Sequence, residues 1–200
     1  VMAAKNENEQ KQRLALLFDL NMQQHQAEQY WSQLEKLQLP NGAFTWYAGM
    51  TESRYITQEI VLNVGRLSRL TGNLLNDKQQ KVIDKAIQYL DLSISEDYNS
   101  LKKNNKNYLK ENCVGNMQLF YLHARSEYSE MSIPDFAKEA VKYYTSQSEK
   151  YWTSFTLYGK AMMAIVAQRN AKQTLAQNIL KSLKENALKT DEMGMYWAKN

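Results

Sequence analysis

Three times along this 200-residue chain, a segment that reads as a buried helix is followed by one apolar on a single stripe. That alternation limits the folds open to it. The apolar members are YITQEIVLNVGRLSRLTG from Tyr55, VGNMQLFYLHAR from Val114 and SFTLYGKAMMAIVAQR from Ser154. Their partners carry Val82, Ile83, Ala86, Ile87 and Leu90, then Ile133, Phe136, Ala137, Ala140 and Val141, then Leu175, Ile179, Leu180 and Leu183. Spacings of three and four place each of these sets on one helical face. Helical hairpins with a fully apolar member must curl around that inner set to bury it, as a solenoid or as a closed α/α toroid. The expected class is therefore all-α, of the α/α-toroid type with alternating inner and outer helices, and an incomplete ring.

The punctuation agrees. Only seven glycines and two prolines occur, so turns are localised events. Residues 7–37 read as one or two amphipathic helices, with Leu14, Leu17 and Phe18 followed by Ala27, Tyr30, Trp31 and Leu34, and Pro40 and Gly42 stop them. Ser53 is the expected cap of the first apolar helix, which sets Ile56, Ile60, Val64 and Leu67 on one face and ends at Gly72. Ser132 with Pro134 opens the second stripe-bearing helix. The polar stretch from Asp97 to Asn112 reads as an insertion that lengthens the first repeat.

Length and an apolar content of 44% suit one domain, residues 1–200, with a sizeable core. A net charge of +4, dispersed along the chain, gives no nucleic-acid groove, and the cluster Lys102, Lys103, Lys106 and Lys110 reads as a solvated loop. The single cysteine, Cys113, excludes an internal disulfide and a cysteine-rich zinc site. Among apolar neighbours, it reads as a small buried residue at a helix start rather than a reactive thiol. No apolar run approaches the roughly 20 residues that a membrane-spanning helix needs. Valine at position 1 and the ending DEMGMYWAKN suggest a segment of a longer protein.

The stretch QLPNGAFTWYAG, Gln38 to Gly49, concentrates Pro40, Asn41, Gly42 and Gly49 around three aromatics. KTDEMGMYW places Gly194 and Trp197 in a similar relation near the chain end. The expectation is architectural: Gly42 and Gly194 take positive φ, while Phe44, Trp46, Tyr196 and Trp197 cover the end of a helical pair. Gln38, with an amide that both donates and accepts, is placed to bond the backbone of this turn or a neighbouring one.

Gln38-x3-Gly42-x-Phe44 resembles the QxxxGxW punctuation of α/α toroids. The longer run LQLPNGAFTWYAGMTESRYITQEIVLNVGRL resembles the thioester domain of the alpha-2-macroglobulin and complement family, in which a Q..DG.F turn precedes a helix with an S..(L/I)T pattern; Ser53 and Ile56-Thr57 stand at the matching places. YLHARSEY from Tyr121, the run from Tyr151 to Arg169, ILKSLKENA from Ile179 and DEMGMYW from Asp191 are similar to large bacterial alpha-2-macroglobulin-like proteins, particularly of Bacteroidetes. The resemblance touches most of the chain from about residue 30 onward. It implies a non-catalytic part of the thioester-like domain of a protease trap, periplasmic or anchored to the outer membrane. Its partners would be proteases, met through the full-length parent, and neighbouring β-sandwich domains of the same chain, without a cofactor. Family members that acylate proteases use a CxEQ-type motif, because a strained thioester needs a thiol and a nearby glutamine. No such motif occurs here: Cys113 lies in ENCVGN, and Asn8-Glu9-Gln10 has no preceding cysteine.

Two other readings stand beside this one. A toroid lyase or glycosidase acting on polysaccharide would need converging acids or an acid with a tyrosine, for which Glu59, Glu111, Asp191, Glu192 and Tyr121 are the candidates. None forms a specific signature, and Asp191 and Glu192, following Thr190 at an expected turn, fit turn chemistry and capping better than catalysis. A helical-repeat interaction scaffold is the third. His25 sits in a Gln-rich polar stretch and His123 in an apolar helix, neither with a partner at metal-ligand spacing, and Met162 and Met163 read as core.

Overall fold

The computed structural model describes residues 25–72 and 75–198, together with positions 11 and 22. Leu14, Leu17 and Phe18, expected on the first helix, lie outside the described residues. Helix α1 occupies 25–36 of the described chain. It is followed by α2 (Arg54–Thr71), α3 (Asp77–Asn104), α4 (Asn116–Arg125), α5 (Asp135–Tyr151), α6 (Leu157–Arg169) and α7 (Gln173–Glu185). Single 3-10 turns, Ser126–Tyr128 and Trp152–Ser154, extend α4 and α5. The described strands are β1 (Leu188–Thr190) and β2 (Gly194–Tyr196), an antiparallel hairpin with Lys189 opposite Met195. The protein is therefore all-α, with a small hairpin outside the core.

Helix ends follow local chemistry. Ser53 accepts from the Ile56 amide to start α2, and Gly72 ends it at φ +68°. Asn76 and Gln79 form a reciprocal capping box on α3, Gln118 reaches back to the Gly115 amide to start α4, and Thr156 caps α6 through the Gly159 amide. Helix α5 begins at Asp135 behind Pro134, with no side-chain cap, rather than at Ser132. The link from α6 to α7 turns at Ala171, whose φ of +57° makes it the one non-glycine residue in the left-handed region among the described residues.

The second and third pairs show the expected contrast in burial, whereas α2 is no more buried than α3. Helix α2 packs on α4 and α4 on α6, α3 packs on α5, and α2–α3, α4–α5 and α6–α7 are neighbours in hairpins. Along the first row, Gln58 donates to the Met117 carbonyl near the starts of α2 and α4, and the Tyr128 hydroxyl, beyond the end of α4, donates to the Val61 carbonyl. Helices α2 and α4 thus run parallel, since one returning helix separates them. The α4 segment Leu119–Arg125 is buried throughout, and α6 buries Met162, Met163, Ala164, Val166 and Ala167. By contrast, α7 buries only Ala176 and Ile179.

Three expectations are corrected. The buried face of α2 is Thr57, Gln58, Val61, Leu62 and Gly65, one position away from the expected stripe; Ile56, Ile60 and Val64 are half-buried and Leu67 is exposed. Gly65 explains the rotation. A Cβ there would stand 2.6 Å from the Glu127 Cβ and 2.9 Å from the Tyr128 ring, so the helix rests its glycine directly on the 3-10 turn. The stretch from Asp97 is also less of an insertion than its polarity suggests, since α3 continues through it to Asn104. Tyr98 packs there against Tyr143 and Tyr144 of α5, while Phe136, expected on the buried stripe of α5, is exposed.

Candidate functional site

The turn between α1 and α2 is the most densely cross-braced feature that the sequence singles out. Gln38 donates from Nε2 to the Gly42 carbonyl at 3.0 Å and to the Val82 carbonyl of α3 at 2.8 Å. Gly42 has φ +92°, and a Cβ on it would lie 2.2 Å from the Lys85 carbonyl oxygen. Only a glycine lets the turn sit this close to α3. Gln38 and Phe44 form an isolated antiparallel bridge, and the Phe44 ring is fully buried. The Phe44 amide donates to Thr57 Oγ1 at 2.8 Å and its carbonyl accepts from the Ser53 amide at 2.8 Å, while the Thr57 hydroxyl donates to the Ser53 carbonyl. The Asn41 side chain accepts from the Ala43 amide and donates to Glu52, whose other oxygen accepts from the Tyr89 hydroxyl. Gln38, Gly42, Phe44, Ser53 and Thr57 are thus one hydrogen-bonded unit joining α1, α2 and α3.

Trp46 does not cover this corner as expected. It is 53% exposed and stacks on Tyr55, with ring centroids 6.3 Å apart and 19° between planes. Nor is the second corner a copy of the first. Gly194 takes φ +68°, but a Cβ there would meet nothing within 4 Å, because the residue opens the β2 strand of an exposed hairpin. Trp197 is partly exposed and donates from its indole nitrogen to the Leu183 carbonyl at 2.8 Å, tying the hairpin to α7.

The candidate acids lie apart. Glu59 is on α2, where it accepts from the Tyr55 hydroxyl and the Asn63 amide and so holds the tyrosine's pKa above its ordinary value. Glu111 accepts from Asn105 in the loop before α4, and Asp191 and Glu192 are in the hairpin turn. Tyr121 is buried and donates to Asp91 at 2.6 Å. No hydrogen bond or ion pair joins any two of these candidates among the described residues. Cys113 is half-buried in the loop before α4 rather than buried at a helix start, with Sγ 3.6 Å from Asn105 Nδ2. His25 is exposed beside Gln29. Lys102, read as part of a loop, ends α3, pairs with Glu139 and stands 4.3 Å over the Tyr98 ring. No cluster of three His, Cys, Asp or Glu capable of holding a metal occurs among the described residues. No helix among them is long and apolar enough to cross a membrane.

Two buried acids, Asp91 and Glu127, escape a reading of the sequence, whereas His123 lies in an apolar helix as expected. Asp91 accepts from Tyr121 and from Arg125 Nε at 3.3 Å, and Arg125 donates further to the Tyr128, Met131 and Ser132 carbonyls. Loss of solvation outweighs these contacts and raises the Asp91 pKa above the ordinary value. Glu127, its side chain fully buried, pairs with Arg69 at 3.1 Å and Arg169 at 2.6 Å. His123 is buried with neither ring nitrogen hydrogen-bonded. Burial first, then the charges of Arg169 and Arg66, push its pKa down to about 4 against a small opposing effect of Glu127. A charged residue four positions from an aromatic on an apolar helix, as Arg125 is from Tyr121, is the available signal for the first of these groups.

A wide cleft, about 650 Å³, lies between the end of α2 and the turn after α4, bordered by Val64, Arg69, Leu75, Gln80, Tyr128 and Met131. It contains none of the expected site residues. No protein-family model matches the chain. No characterised protein matches it either.

Proposed function

We propose that the chain is a non-catalytic part of the thioester-like domain of a bacterial alpha-2-macroglobulin-family protease trap. The observation that carries the reading is the Gln38–Gly42–Phe44 turn. Gln38 bonds both its own turn and α3, Gly42 rests on the α3 backbone, and Ser53 and Thr57 bond the Phe44 backbone. Gln38, Gly42, Phe44, Ser53 and Thr57, the part of the resemblance that lies in this turn, each have a structural task there.

Two rows of helices, α2–α4–α6 and α3–α5, support an α/α-toroid arrangement left incomplete within these residues. In such a parent, the chain supplies a stiff helical body against which β-sandwich domains pack, in a protein of the periplasm or outer membrane. Any covalent capture would depend on a thiol elsewhere, since Cys113 is followed by Val114-Gly115-Asn116 and not by Glu-Gln.

The test uses the full-length parent incubated with a broad-specificity protease. Trapping leaves cleavage of a small chromogenic peptide intact and abolishes cleavage of a large protein substrate. Undiminished cleavage of the large substrate at excess parent removes the proposal.

A further inference from the structure

The run of α2, α4 and α6 brings their starts to one end of the molecule, where aromatic surface is concentrated. Tyr55 stacks on Trp46 and tilts against Phe120, the latter buried in α4. Tyr158, in the first turn of α6, is 60% exposed, and the adjacent Gly159 packs against Leu119, which neighbours Phe120 on α4. From Tyr55, Glu59 and Asn63 follow at successive helical turns, joined by Tyr55–Glu59 and Asn63–Glu59 hydrogen bonds. By helix geometry this strip extends about 12 Å along α2.

Trp46 is not an idle loop residue. The residues just before it, Phe44 and Thr45, are buried, Thr45 donates from its hydroxyl to the Tyr47 carbonyl, and its amide bonds the Leu37 carbonyl. The backbone is fixed on both sides while the indole stays half in water. Keeping a large aromatic immobilised and exposed costs hydrophobic free energy and loses nothing further on binding. The patch has polar edges in Tyr55, Tyr158, Glu59 and Asn63, whose hydroxyls, carboxylate and amide a dry protein contact would have to strip of water. Its borders carry the carboxylates of Glu52 and Glu59, while Arg54 is occupied by Asp97 and Gln58. A ligand suited to it has a flat apolar face, a rim of hydroxyls and no negative charge.

We propose that this end is a binding face for a neutral polysaccharide, with the exposed Trp46 stacking on a sugar ring, Tyr55 backing its indole, Tyr158 flanking them, and Glu59 and Asn63 bonding hydroxyls. The proposal is independent of protease trapping, and its test involves no protease. The chain is run in native gels containing mixed-linkage β-glucan, xylan, galactomannan or dextran, with alginate as the anionic contrast. At least one neutral polymer should retard migration. The apparent Kd should rise at least tenfold in both Trp46→Ala and Tyr158→Ala, with circular dichroism unchanged, and should not move in Trp197→Ala on the C-terminal hairpin. Two variants on separate elements guard against a folding defect in one. Absence of retardation by all four neutral polymers, retardation by alginate alone, or binding that survives both substitutions overturns the proposal. So does sedimentation showing that Trp46→Ala dissociates a dimer of this chain while no polymer binds.

Discussion

Gly42→Ala tests whether the turn is held by close backbone approach or only by backbone conformation. At φ +92° an L-residue pays about 1–2 kcal/mol for the left-handed region. The added methyl must also displace the Lys85 carbonyl oxygen, 2.2 Å away, and the Lys85 carbonyl carbon, 2.6 Å away. Both belong to helix backbone, so the turn rather than α3 gives way. Lifting it stretches the Gln38 bond to Val82 and unseats the buried Phe44, adding about 2–3 kcal/mol by lost hydrogen bonding and packing. The total is about 3–5 kcal/mol, a large share of the roughly 5–15 kcal/mol typical of a domain. Gly49→Ala is the internal control: φ is +84° but nothing lies within 4 Å, so only the conformational cost applies. Urea denaturation followed by far-ultraviolet circular dichroism gives both values under one set of conditions. Equal losses in the two variants, within about 0.5 kcal/mol, would refute the close-approach argument.

Three further outcomes follow from the same geometry. His123 has an ordinary pKa of 6.5 and about 4 when folded, so the unfolded chain takes up a proton between those values that the folded chain refuses. Stability should fall by at most about 3 kcal/mol as pH drops through that window, and His123→Leu should remove that part of the slope in pH-dependent urea titrations; parallel slopes contradict the assignment. Asp91→Ala strands the buried Arg125 guanidinium and should cost about 3–5 kcal/mol, with the double variant Asp91→Leu/Arg125→Met recovering part of it; no recovery means that the arginine's three carbonyl contacts, not its charge, dominate. Ala171→Gly relieves a left-handed φ at an exposed position and should raise the melting temperature through a gain of about 0.5–1 kcal/mol, whereas a loss would show that the turn is not strained.

What the sequence makes legible follows from which forces are periodic. The succession of helices, the stripe Val82–Leu90 and the turn at Gly42 all arise from apolar spacing or from glycine's special backbone, and both leave a mark on the residues themselves. Spacing misplaces the face of α2 because Gly65 contributes to packing by what it lacks, and a missing side chain has no hydrophobicity to detect. Trp46 and Trp197 share a neighbouring glycine, yet one corner meets a helix backbone and the other a β-hairpin, a difference set by what lies across the contact. The buried pairs Asp91–Arg125 and Glu127–Arg169 lie 34 and 42 positions apart, beyond any local window.

These non-local groups also explain why the alternation of helices holds together. Arg125 fastens the segment from Tyr128 to Ser132, through which the chain passes from α4 to α5. Arg169 at the end of α6 and Arg69 near the end of α2 converge on the single carboxylate of Glu127, just beyond the end of α4. Three helices are thereby pinned at their far end by one acid, while at the near end Tyr55 and Phe120 join α2 to α4 by ring packing. One end of the row is therefore fixed by ion pairs around a buried carboxylate, and the other by aromatics that remain partly in water. The proposed binding face lies at the aromatic end, where a ligand can be gained without breaking the ion pairs that hold the helices in register.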